Sequence, residues 1–480
     1  MPEVLPTKGL RYTYKTEPYS HQKKALKKLL NLNGSAGLFM DMATGKTKVA
    51  IDWAGIGFFN WKTRRVLVVA PLSVLGVWPR QIRQHSGAPA RTFRLSGKTE
   101  DRVSLLKRII LAPRDDVLTY VIINYEGIWR ENSKGTTVES LLIRWKPDLV
   151  IFDESHRLKS HSSKQSKSGH RISLASRQRL LLTGTSITKS PLDVFGQFRA
   201  MKSEVFGTNW YQFKFTFGVW GGRYKYQLRG YRNIGLLINK VRKHSFRIKK
   251  EQCLDLPEKV FETVPVQLTE KEQQYYNTMV KESIIEIEET HATAAIVLTK
   301  MLRLRQITSG FIKDVDGIIR DLGTSKLNTC IDLLDDLIEE DHKVVVFCEF
   351  LHDIKRISER LTVDYDILSG SVPPLKRDSL IERFQTDPKM KVLIAQLQTG
   401  SEGIELMAAD AAIYYSLSHN ALYYWQSQDR LHRPGQTKNV IYYHLVVPKS
   451  VDDLVLAALK AKKEVAEMVL HHPRKFLKII

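Results

Sequence analysis

Apolar, β-branched runs alternate with helical or polar stretches along the chain and fall into two blocks. The first block contains "VLVVA" (66–70), "VLTYVIIN" (117–124), "DLVIFDE" (148–154) and "RLLLTGT" (179–185). The second block contains "KVVVFCEF" (343–350), "KVLIAQLQT" (391–399), "AAIYYS" (411–416) and "VIYYHLV" (440–446). Runs of this kind between helical stretches are typical of parallel strands that are buried on both faces. The pattern therefore predicts an α/β fold with two doubly wound lobes of parallel sheet.

The segment between the two blocks has a different pattern. Residues 268–307 contain neither Pro nor Gly and predict one continuous helix. Residues 209–233, "NWYQFKFTFGVWGGRYKYQLRGYRN", are rich in aromatic side chains and match neither lobe. We therefore expect a first lobe over 1–200, an aromatic and helical intervening segment over 201–325, and a second lobe with a basic tail over 326–480.

Length and composition limit the class of protein. A chain of 480 residues with 43% hydrophobic and 26% charged residues fits a globular protein of two or three domains. The sequence has no apolar run long enough for a membrane span and no signal-peptide pattern. The three cysteines are scattered and form no C-x-x-C pair, which argues against a disulfide scaffold or a zinc ribbon. We expect a monomer in the cytoplasm.

The charge balance indicates a polyanionic partner. The formal net charge is +23, from 74 Lys and Arg against 51 Asp and Glu. Basic residues cluster in "RLKSHSSKQSKSGHR" (157–171) and "RKHSFRIKK" (242–250). Nucleic acid is the commonest partner of such surfaces, although a generally basic protein would have the same total charge.

The stretch "DMATGKT" (41–47) predicts a phosphate-binding loop between a strand and a helix. Such a loop points backbone N–H groups at an anion, at the positive end of a helix dipole. Lys46 would reach the β- and γ-phosphates, and the Thr47 hydroxyl would bind Mg²⁺. Met40 stands where the usual pattern has its first glycine, and Ala43 or Gly37 would partly serve in its place. The predicted ATP contacts in this loop are Met42, Ala43, Thr44, Gly45, Lys46 and Thr47.

Two acidic residues follow the apolar run at 148–152. In "LVIFDESH", Asp153 and Glu154 would lie at the carboxyl end of a strand. Asp153 could then hold the Mg²⁺ shell, and Glu154 could polarise the attacking water. After a G-K-T loop, this pattern favours a nucleoside-triphosphatase site over ordinary turn chemistry.

The stretch "YWQSQDRLHRPGQ" (424–436) contributes the other candidate catalytic residues, Gln426, Arg430 and Arg433. A helical i, i+3 step from Arg430 to Arg433 would point both guanidinium groups the same way. Arginines delivered from the second lobe could neutralise charge on the γ-phosphoryl group. The alternatives are a DNA phosphate contact or a surface salt bridge. Gln22, just before the first helix, could read the adenine edge and so select ATP.

With these stretches in place, the chain resembles the Swi/Snf-type double-stranded-DNA translocases of helicase superfamily 2, in the compact form typical of phage and bacterial members. "DMATGKT" resembles motif I of that family, "VLVVAPLSVLGVWPRQI" (66–82) motif Ia, "DESH" (153–156) motif II, "LLLTGTSITKSPLDVFGQF" (180–198) motif III, "VLIAQLQTGSEGIELMAADAAIYY" (392–415) motif V and "QSQDRLHRPGQ" (426–436) motif VI. Ala43, Thr44, Ser155 and Ser186 depart from the usual motifs.

The resemblance implies further properties. The fold would be two tandem RecA-like lobes, with ATP and Mg²⁺ as cofactors and double-stranded DNA as partner, forked or branched DNA being the alternative. The implied DNA contacts are Ser73, Tyr125, Thr183, Thr185 and Thr399, and Gly403 would contact ATP. The resemblance of the segment after 209 to the family's first-lobe exit favours packing over base stacking for its aromatic residues, although interleaved basic and aromatic residues are also what a platform for single strands would show.

The sequence thus predicts a DNA-dependent ATPase that hydrolyses ATP between two lobes and moves along DNA. A strand-separating or branch-remodelling helicase acting on DNA or RNA shares these motifs and stays an alternative. A nucleic-acid clamp that does not hydrolyse ATP is the second alternative, but Lys46, Asp153, Glu154 and Arg433 argue against it.

Overall fold

The computed structural model divides the chain into two compact units, Met1–Asp255 and Leu256–Ile480. The described residues are 11–112, 116–184, 190–221, 227–253, 256–290, 294–314, 316–401, 404–418 and 420–461. The two units are called unit 1 and unit 2 below, and each has its own parallel sheet.

Unit 1 contains nine strands and nine α-helices among its described residues. The strands are β1 (Ser35–Met40), β2 (Arg65–Ala70), β3 (Ala90–Leu95), β4 (Leu118–Asn124), β5 (Leu149–Asp153), β6 (Gln178–Leu182), β7 (Gly218–Gly221), β8 (Gln227–Tyr231) and β9 (Ser245–Ile248). The helices are α1 (Ser20–Asn31), α2 (Lys46–Trp61), α3 (Val77–His85), α4 (Thr99–Leu111), α5 (Val138–Trp145), α6 (Lys164–Leu174), α7 (Val194–Met201), α8 (Trp210–Phe217) and α9 (Ile234–Lys243).

Seven of these strands form one parallel sheet in the order β3-β4-β2-β5-β6-β1-β9. Alternate side chains of the five central strands enter different apolar cores. In β5, for example, Val150 and Phe152 join one core while Leu149 and Ile151 join the other. Both faces of the sheet are therefore covered, as expected for a doubly wound lobe. The carboxyl ends of β1, β2, β4, β5 and β6 lie along one edge, where open α/β sheets bind ligands.

Unit 2 contains eight strands and eight α-helices among its described residues. The strands are β10 (Lys259–Pro265), β11 (Phe311–Lys313), β12 (Ile319–Asp321), β13 (Val344–Cys348), β14 (Tyr365–Leu368), β15 (Val392–Gln396), β16 (Ala411–Tyr414) and β17 (Val440–Val446). The helices are α10 (Glu270–Thr290), α11 (Ala294–Thr308), α12 (Ser325–Glu339), α13 (Leu351–Ser358), α14 (Pro374–Thr386), α15 (Leu397–Ser401), α16 (Ala421–Leu431) and α17 (Val451–Lys460).

Six strands of unit 2 form a second parallel sheet in the order β10-β17-β16-β13-β15-β14. In β13, Val345 and Phe347 enter one core, and Val344 and Val346 enter the other. The predicted fold class, two α/β lobes built on parallel sheets, is therefore confirmed. All eight strands predicted from apolar runs are present: β17 has the predicted bounds, and the other seven differ at one or both ends by one to three residues.

The intervening segment differs from its prediction. The division near residue 255 places α8, α9 and β9 in unit 1, and β10 to α12 in unit 2. The predicted helix over 268–307 is two helices, α10 and α11, which pack against each other. One straight helix could not make that contact with itself, so the prediction of a single helix is wrong. Residues 291–293 and the predicted basic tail beyond 461 lie outside the described residues.

The prediction that the aromatic segment packs is correct for its inward side chains. Phe213 and Phe217 are buried in a core of unit 1, and Trp210 stacks on His161 with ring centroids 4.2 Å apart. Among the described residues, no helix combines the length and apolarity that a membrane crossing needs.

Candidate active site

The predicted phosphate loop lies between β1 and α2. The strand ends at Met40, and the helix begins at Lys46, directly after Gly45. Gly45 has φ +82° and Ala43 has φ +62°, so two left-handed residues turn the chain from strand to helix. Ala43 takes a conformation that favours glycine, as expected for a substitute of the missing glycine. Gly37 does not share this role, because it lies inside β1, where a Cβ would meet the Phe39 ring at 2.6 Å.

The side chain of Lys46 folds back across this loop. Its Nζ donates to the carbonyl oxygens of Met40 at 2.8 Å and Asp41 at 3.0 Å. The Thr44 hydroxyl donates to the same Asp41 carbonyl at 2.7 Å. These contacts hold the ammonium group at the carboxyl end of β1, next to the N-terminus of α2, where a phosphate chain would bind.

Gln22 is packed against the loop and is only 2% exposed. Its Nε2 donates to the Thr44 carbonyl at 3.1 Å, and its Oε1 accepts from the Tyr19 backbone N–H at 3.0 Å. His21 Nε2 lies 2.8 Å from the same Thr44 carbonyl, a contact that the sequence analysis missed. A Cβ on residue 45 would lie 2.2 Å from Gln22 Nε2, so this glycine also makes room for the glutamine. One amide hydrogen and one oxygen lone pair of Gln22 are left for a nucleotide.

Asp153 ends β5 and is held from three sides. Its Oδ2 accepts from Trp78 Nε1 at 3.0 Å, and its Oδ1 accepts from the Glu154 backbone N–H at 3.0 Å. The Tyr125 hydroxyl donates to the Asp153 carbonyl at 2.8 Å. The sequence analysis gave Trp78 no role, because a hydrogen bond between residues 75 positions apart has no signature in a single sequence.

Burial and then the charge of Glu154 raise the pKa of the Asp153 carboxyl to about 6. The hydrogen bond from Trp78 and the positive charge of Lys46 act in the opposite direction. Two carboxylates at this edge of the sheet therefore repel each other, and a cation bound beside them would relieve that repulsion.

Glu154 adopts a left-handed backbone conformation with φ +49°. Its Oε2 accepts from the Thr183 hydroxyl at 3.4 Å and lies 3.2 Å from His156 Nδ1. The Thr183 hydroxyl also lies 3.4 Å from His156 Nδ1. Thr183 follows β6, which lies between β5 and β1 in the sheet, so this cluster is at the same edge as the phosphate loop.

Two of the predicted DNA contacts are corrected. Tyr125 and Thr183 are both fully buried, at 0% exposure, and their hydroxyl groups donate to Asp153 and Glu154. They support the two acidic residues and cannot reach a DNA backbone in this conformation. Thr185 and the side chain of Ser73 lie outside what the structure describes. Thr399 lies in α15, half-buried, with its hydroxyl 3.5 Å from Gln396 Oε1.

The candidate catalytic residues of unit 2 lie at and beyond the end of α16. Because this helix ends at Leu431, the predicted helical i, i+3 step from Arg430 to Arg433 is wrong. The two arginines nevertheless contact the same segment: Arg430 Nε donates to the Ser401 carbonyl at 2.9 Å, and Arg433 Nη1 donates to the Ile404 carbonyl at 3.3 Å. The two accepting residues lie on either side of Gly403 in the sequence, and Gly403 itself lies outside the described residues.

Arg433 is partly paired with a carboxylate, since its Nη2 lies 3.7 Å from Glu405 Oε1. Gln426 lies within α16 and is 5% exposed. Gln436 closes the turn after the helix, because its Nε2 donates to the carbonyls of Met407 at 3.0 Å and Ala409 at 3.1 Å. Unit 2 therefore presents two half-exposed arginines, Arg430 in the last turn of α16 and Arg433 in the turn after it, and the buried amide of Gln436 braces that turn.

Comparison with protein families gives two matches. The model of the SNF2-related domain matches residues 21–310, and the helicase conserved C-terminal domain matches residues 325–435. The two matches together include the phosphate loop, the Asp153–Glu154 pair and both arginines.

Alignments with known relatives cover nearly the whole chain at low sequence identity. An uncharacterized ATP-dependent helicase of Mycoplasma genitalium is 26% identical over 472 residues, which cover 95% of this chain and 43% of that protein. The human DNA annealing helicase and endonuclease ZRANB3 is 26% identical over 466 residues, which cover 94% of this chain and 40% of that protein. The chain thus spans about two fifths of the length of these relatives.

Among solved structures, the SWI2/SNF2 ATPase core of Sulfolobus solfataricus in complex with dsDNA aligns with a TM-score of 0.44 and 21% identity. The alignment covers 96% of this chain and 95% of that one.

Proposed function

Because the chain belongs to the SNF2-related domain family, we propose that it hydrolyses ATP and uses the free energy to translocate along double-stranded DNA. The observation that carries the proposal is the arrangement at one edge of the unit 1 sheet. There an ordered strand–loop–helix holds Lys46 at the end of β1, and the Asp153–Glu154 pair ends β5 of the same sheet. This is the arrangement that phosphoryl transfer from a nucleoside triphosphate needs.

The phosphate chain of ATP would bind at the N-terminus of α2. The backbone N–H groups of the first turn of a helix point toward its N-terminal end, where they can donate to an anion. Lys46 would exchange its two backbone carbonyl partners for phosphate oxygens, which are stronger acceptors because they are charged. Gln22 would be affected by this exchange of partners, because its Nε2 is hydrogen-bonded to the Thr44 carbonyl in the same loop.

The residues present fit a Mg²⁺ ion. Asp153 offers a carboxylate whose pKa burial and Glu154 raise, and Thr47 at the start of α2 offers a hydroxyl. Oxygen ligands of this kind suit Mg²⁺, which keeps several waters and the phosphates in its shell. When bound, the ion neutralises charge on the phosphates. Asp153 and Thr47 would orient it, and the bond from Trp78 would fix the Asp153 carboxylate.

Glu154 is the proposed general base for the attacking water. The Thr183 hydroxyl donates to its Oε2 at 3.4 Å and so orients the carboxylate that would accept the proton of the water. Because Thr183 follows β6 beside β1, it connects the base to the strand that leads to the phosphate loop. We assign Thr183 to positioning Glu154 rather than to a DNA contact.

Arg430 and Arg433 of unit 2 are proposed to neutralise the charge that develops on the γ-phosphoryl group. A guanidinium group in this role contributes a rate factor of about 10³–10⁵ in other enzymes. Gln426 would orient the segment from which the arginines project. Both arginines are bonded to residues 401–404, so movement of that segment would move them together.

Double-stranded DNA is the proposed partner. The net charge of +23 supports a polyanion, and the name of the human relative describes an enzyme acting on DNA. Contacts to phosphates release counterions. The logarithm of affinity should therefore fall linearly with the logarithm of the salt concentration, with a slope of about −0.9 for each contact. The names of the relatives as helicases keep strand separation as the second candidate.

The test is an ATPase assay of the full chain with single-stranded, duplex and forked DNA and with RNA. We expect duplex DNA to stimulate turnover most. Lys46→Ala serves as the inactive variant, and Lys27→Ala, an exposed lysine of α1, is its matched control. Equal turnover with and without nucleic acid would refute the coupling to DNA, and full turnover by Lys46→Ala would refute the ATP site.

A further inference from the structure

The outward face of α8 carries two exposed aromatic rings. Tyr211 is 67% exposed and Phe215 is 41% exposed, and a spacing of four residues puts them on the same side of the helix. Phe213 and Phe217 of the same helix are buried in the core. The core therefore needs only the inner pair, and packing within unit 1 does not account for the outer pair.

A buried lysine lies among these rings. Lys214 is 6% exposed, and its Nζ lies 5.9 Å from the Tyr211 ring centroid, 5.2 Å from that of Phe215 and 4.2 Å from that of Trp220. Cation–π attraction at these distances restrains the rings and places a positive charge next to them. The two exposed rings are thus presented in a restrained, electropositive setting.

The hairpin of β7 and β8 adds an exposed edge to this surface. Gln227, Leu228 and Arg229 are consecutive and all exposed, so both faces of β8 are open, because successive strand residues point to opposite faces. The hairpin is joined to α8 by Arg232, whose guanidinium donates to the Phe215 carbonyl and whose backbone N–H donates to the Phe217 carbonyl at 3.0 Å.

The charge of this region has one sign. The sequence has no Asp or Glu between Glu204 and Glu251. The same stretch has the basic residues Lys214, Arg223, Lys225, Arg229, Arg232, Lys240, Arg242, Lys243, Arg247, Lys249 and Lys250. Exposed aromatic rings in a segment whose charged residues are all basic are typical of a platform for single-stranded nucleic acid, since the cations track phosphates and the rings stack on bases.

We propose that Tyr211, Phe215, Lys214, Arg229 and Arg232 form an aromatic platform on which unpaired bases of a DNA strand stack. Duplex DNA would not use the rings, because its bases are already stacked on one another. The platform would therefore give this protein affinity for the single-stranded part of a fork or gap, separately from the ATP site. The inference rests on the proposed function in that DNA is taken as the partner.

The test measures binding of the full chain to fluorescein-labelled oligothymidylate by fluorescence anisotropy, with an abasic strand of equal length as the second probe. Both rings are exposed, so Tyr211→Ala and Phe215→Ala should leave the thermal melt unchanged. We expect each to weaken oligothymidylate binding about tenfold, within the range of base–aromatic stacking. Neither should change binding of the abasic strand. Tyr275→Ala, at an exposed tyrosine of α10 that is 41% exposed, is the matched control.

A second pair of variants distinguishes stacking from apolar docking of a protein. Tyr211→Leu with Phe215→Leu keeps apolar area but removes the rings, and Tyr211→Trp with Phe215→Trp keeps ring stacking. The platform predicts weak binding by the leucine variant and retained binding by the tryptophan variant. Unchanged oligothymidylate binding by the alanine variants would overturn the inference, and so would full binding by the leucine variant.

The ATPase assay keeps this inference distinct from the proposed function. Duplex-stimulated turnover of the alanine variants should equal that of the wild type, because the platform is not part of the ATP site. A wild type without any DNA stimulation would refute the proposed function. Normal stimulation together with unaffected single-strand binding by the variants would refute the platform alone.

Discussion

The indole Nε1 of Trp78 donates a hydrogen bond of 3.0 Å to Oδ2 of Asp153, and both side chains are buried. Trp78 lies in the helix that follows β2, the neighbour of β5, so the bond joins two adjacent strand ends. It lowers the pKa of a carboxyl that burial and Glu154 raise to about 6. Trp78 thereby helps to keep Asp153 ionised for its proposed role beside Mg²⁺.

The first prediction is that Trp78→Phe moves the pH dependence of nucleotide binding. Without the hydrogen bond, the pKa of Asp153 should rise above 6. As the pH is lowered, the variant should therefore lose its affinity for Mg·ATP at a higher pH than the wild type. The measurement is a titration with a fluorescent ATP analogue and Mg²⁺ from acid to neutral pH. Trp145→Phe, at a buried tryptophan 1% exposed, controls for the lost volume. Equal midpoints for the two variants would contradict the role of Trp78.

The raised pKa of Asp153 also makes the stability of the folded chain depend on pH. In the folded chain Asp153 holds its proton more tightly than in the unfolded chain, so without nucleotide the protein should lose stability as pH rises through about 6. Asp353 in unit 2 is also buried, and burial raises its pKa to about 7. Asp353→Asn keeps the shape of this residue but does not titrate. The pH midpoint of nucleotide binding should therefore be the same in that variant as in the wild type.

The second prediction concerns backbone strain in the phosphate loop. Ala43 has φ +62°, a conformation in which a Cβ is unfavourable, and Ala43→Gly should therefore raise stability by up to about 1 kcal/mol. Ala175→Gly, at a residue with φ −81°, should instead be neutral or destabilising. Thermal melts of the two variants make the comparison. A loss of stability at position 43 as large as that at 175 would show that the loop is not strained there.

The third prediction is that Glu154→Gln binds ATP but turns it over very slowly, because the amide keeps the shape of the side chain and cannot accept a proton. Thr183→Val should lower the turnover number less, since it removes only the hydrogen bond that orients Glu154. Glu126→Gln is the matched control, at an acidic residue paired with Arg157 at 3.2 Å. Loss of ATP binding in Glu154→Gln would mean that Glu154 is a metal ligand or a structural residue.

The fourth prediction tests whether unit 2 contributes to catalysis. Arg433→Ala should reduce DNA-saturated turnover by about 10³-fold or more, while the affinity for duplex DNA changes little. Arg383→Ala, at an arginine paired with Asp364 and Asp366, controls for loss of one positive charge from unit 2. Weakened DNA binding with intact turnover at saturating DNA would instead make Arg433 a backbone contact.

The strand cores and the phosphate loop were predictable from the sequence because both depend on local patterns. Apolar runs define β2, β5 and β13, and the Gly45-Lys46-Thr47 triplet has a local geometry of its own. Short or partly exposed strands such as β3 and β14 lack such runs, and their residues are mostly half-exposed. They form through pairing with distant neighbours, which a single sequence does not reveal.

Side-chain roles were less predictable, because they depend on which way a residue points after folding. The family resemblance implied DNA contacts for Tyr125 and Thr183, but folding turns both hydroxyl groups inward to Asp153 and Glu154. Arg430 and Arg433 do converge on one segment, but through a turn after α16 instead of a helical step. The contacts of the candidate residues therefore depend on the folded chain and could not be read from residue types alone.

Translocation on intact duplex DNA is the central claim, and displacement of a triplex-forming strand tests it most directly. The wild type should displace a third strand from duplex DNA in an ATP-dependent way, and Glu154→Gln should not. A tailed duplex offered under the same conditions should stay paired. Efficient unwinding of the tailed duplex without triplex displacement, together with stronger ATPase stimulation by single strands than by duplex, would contradict the account and identify a strand-separating helicase.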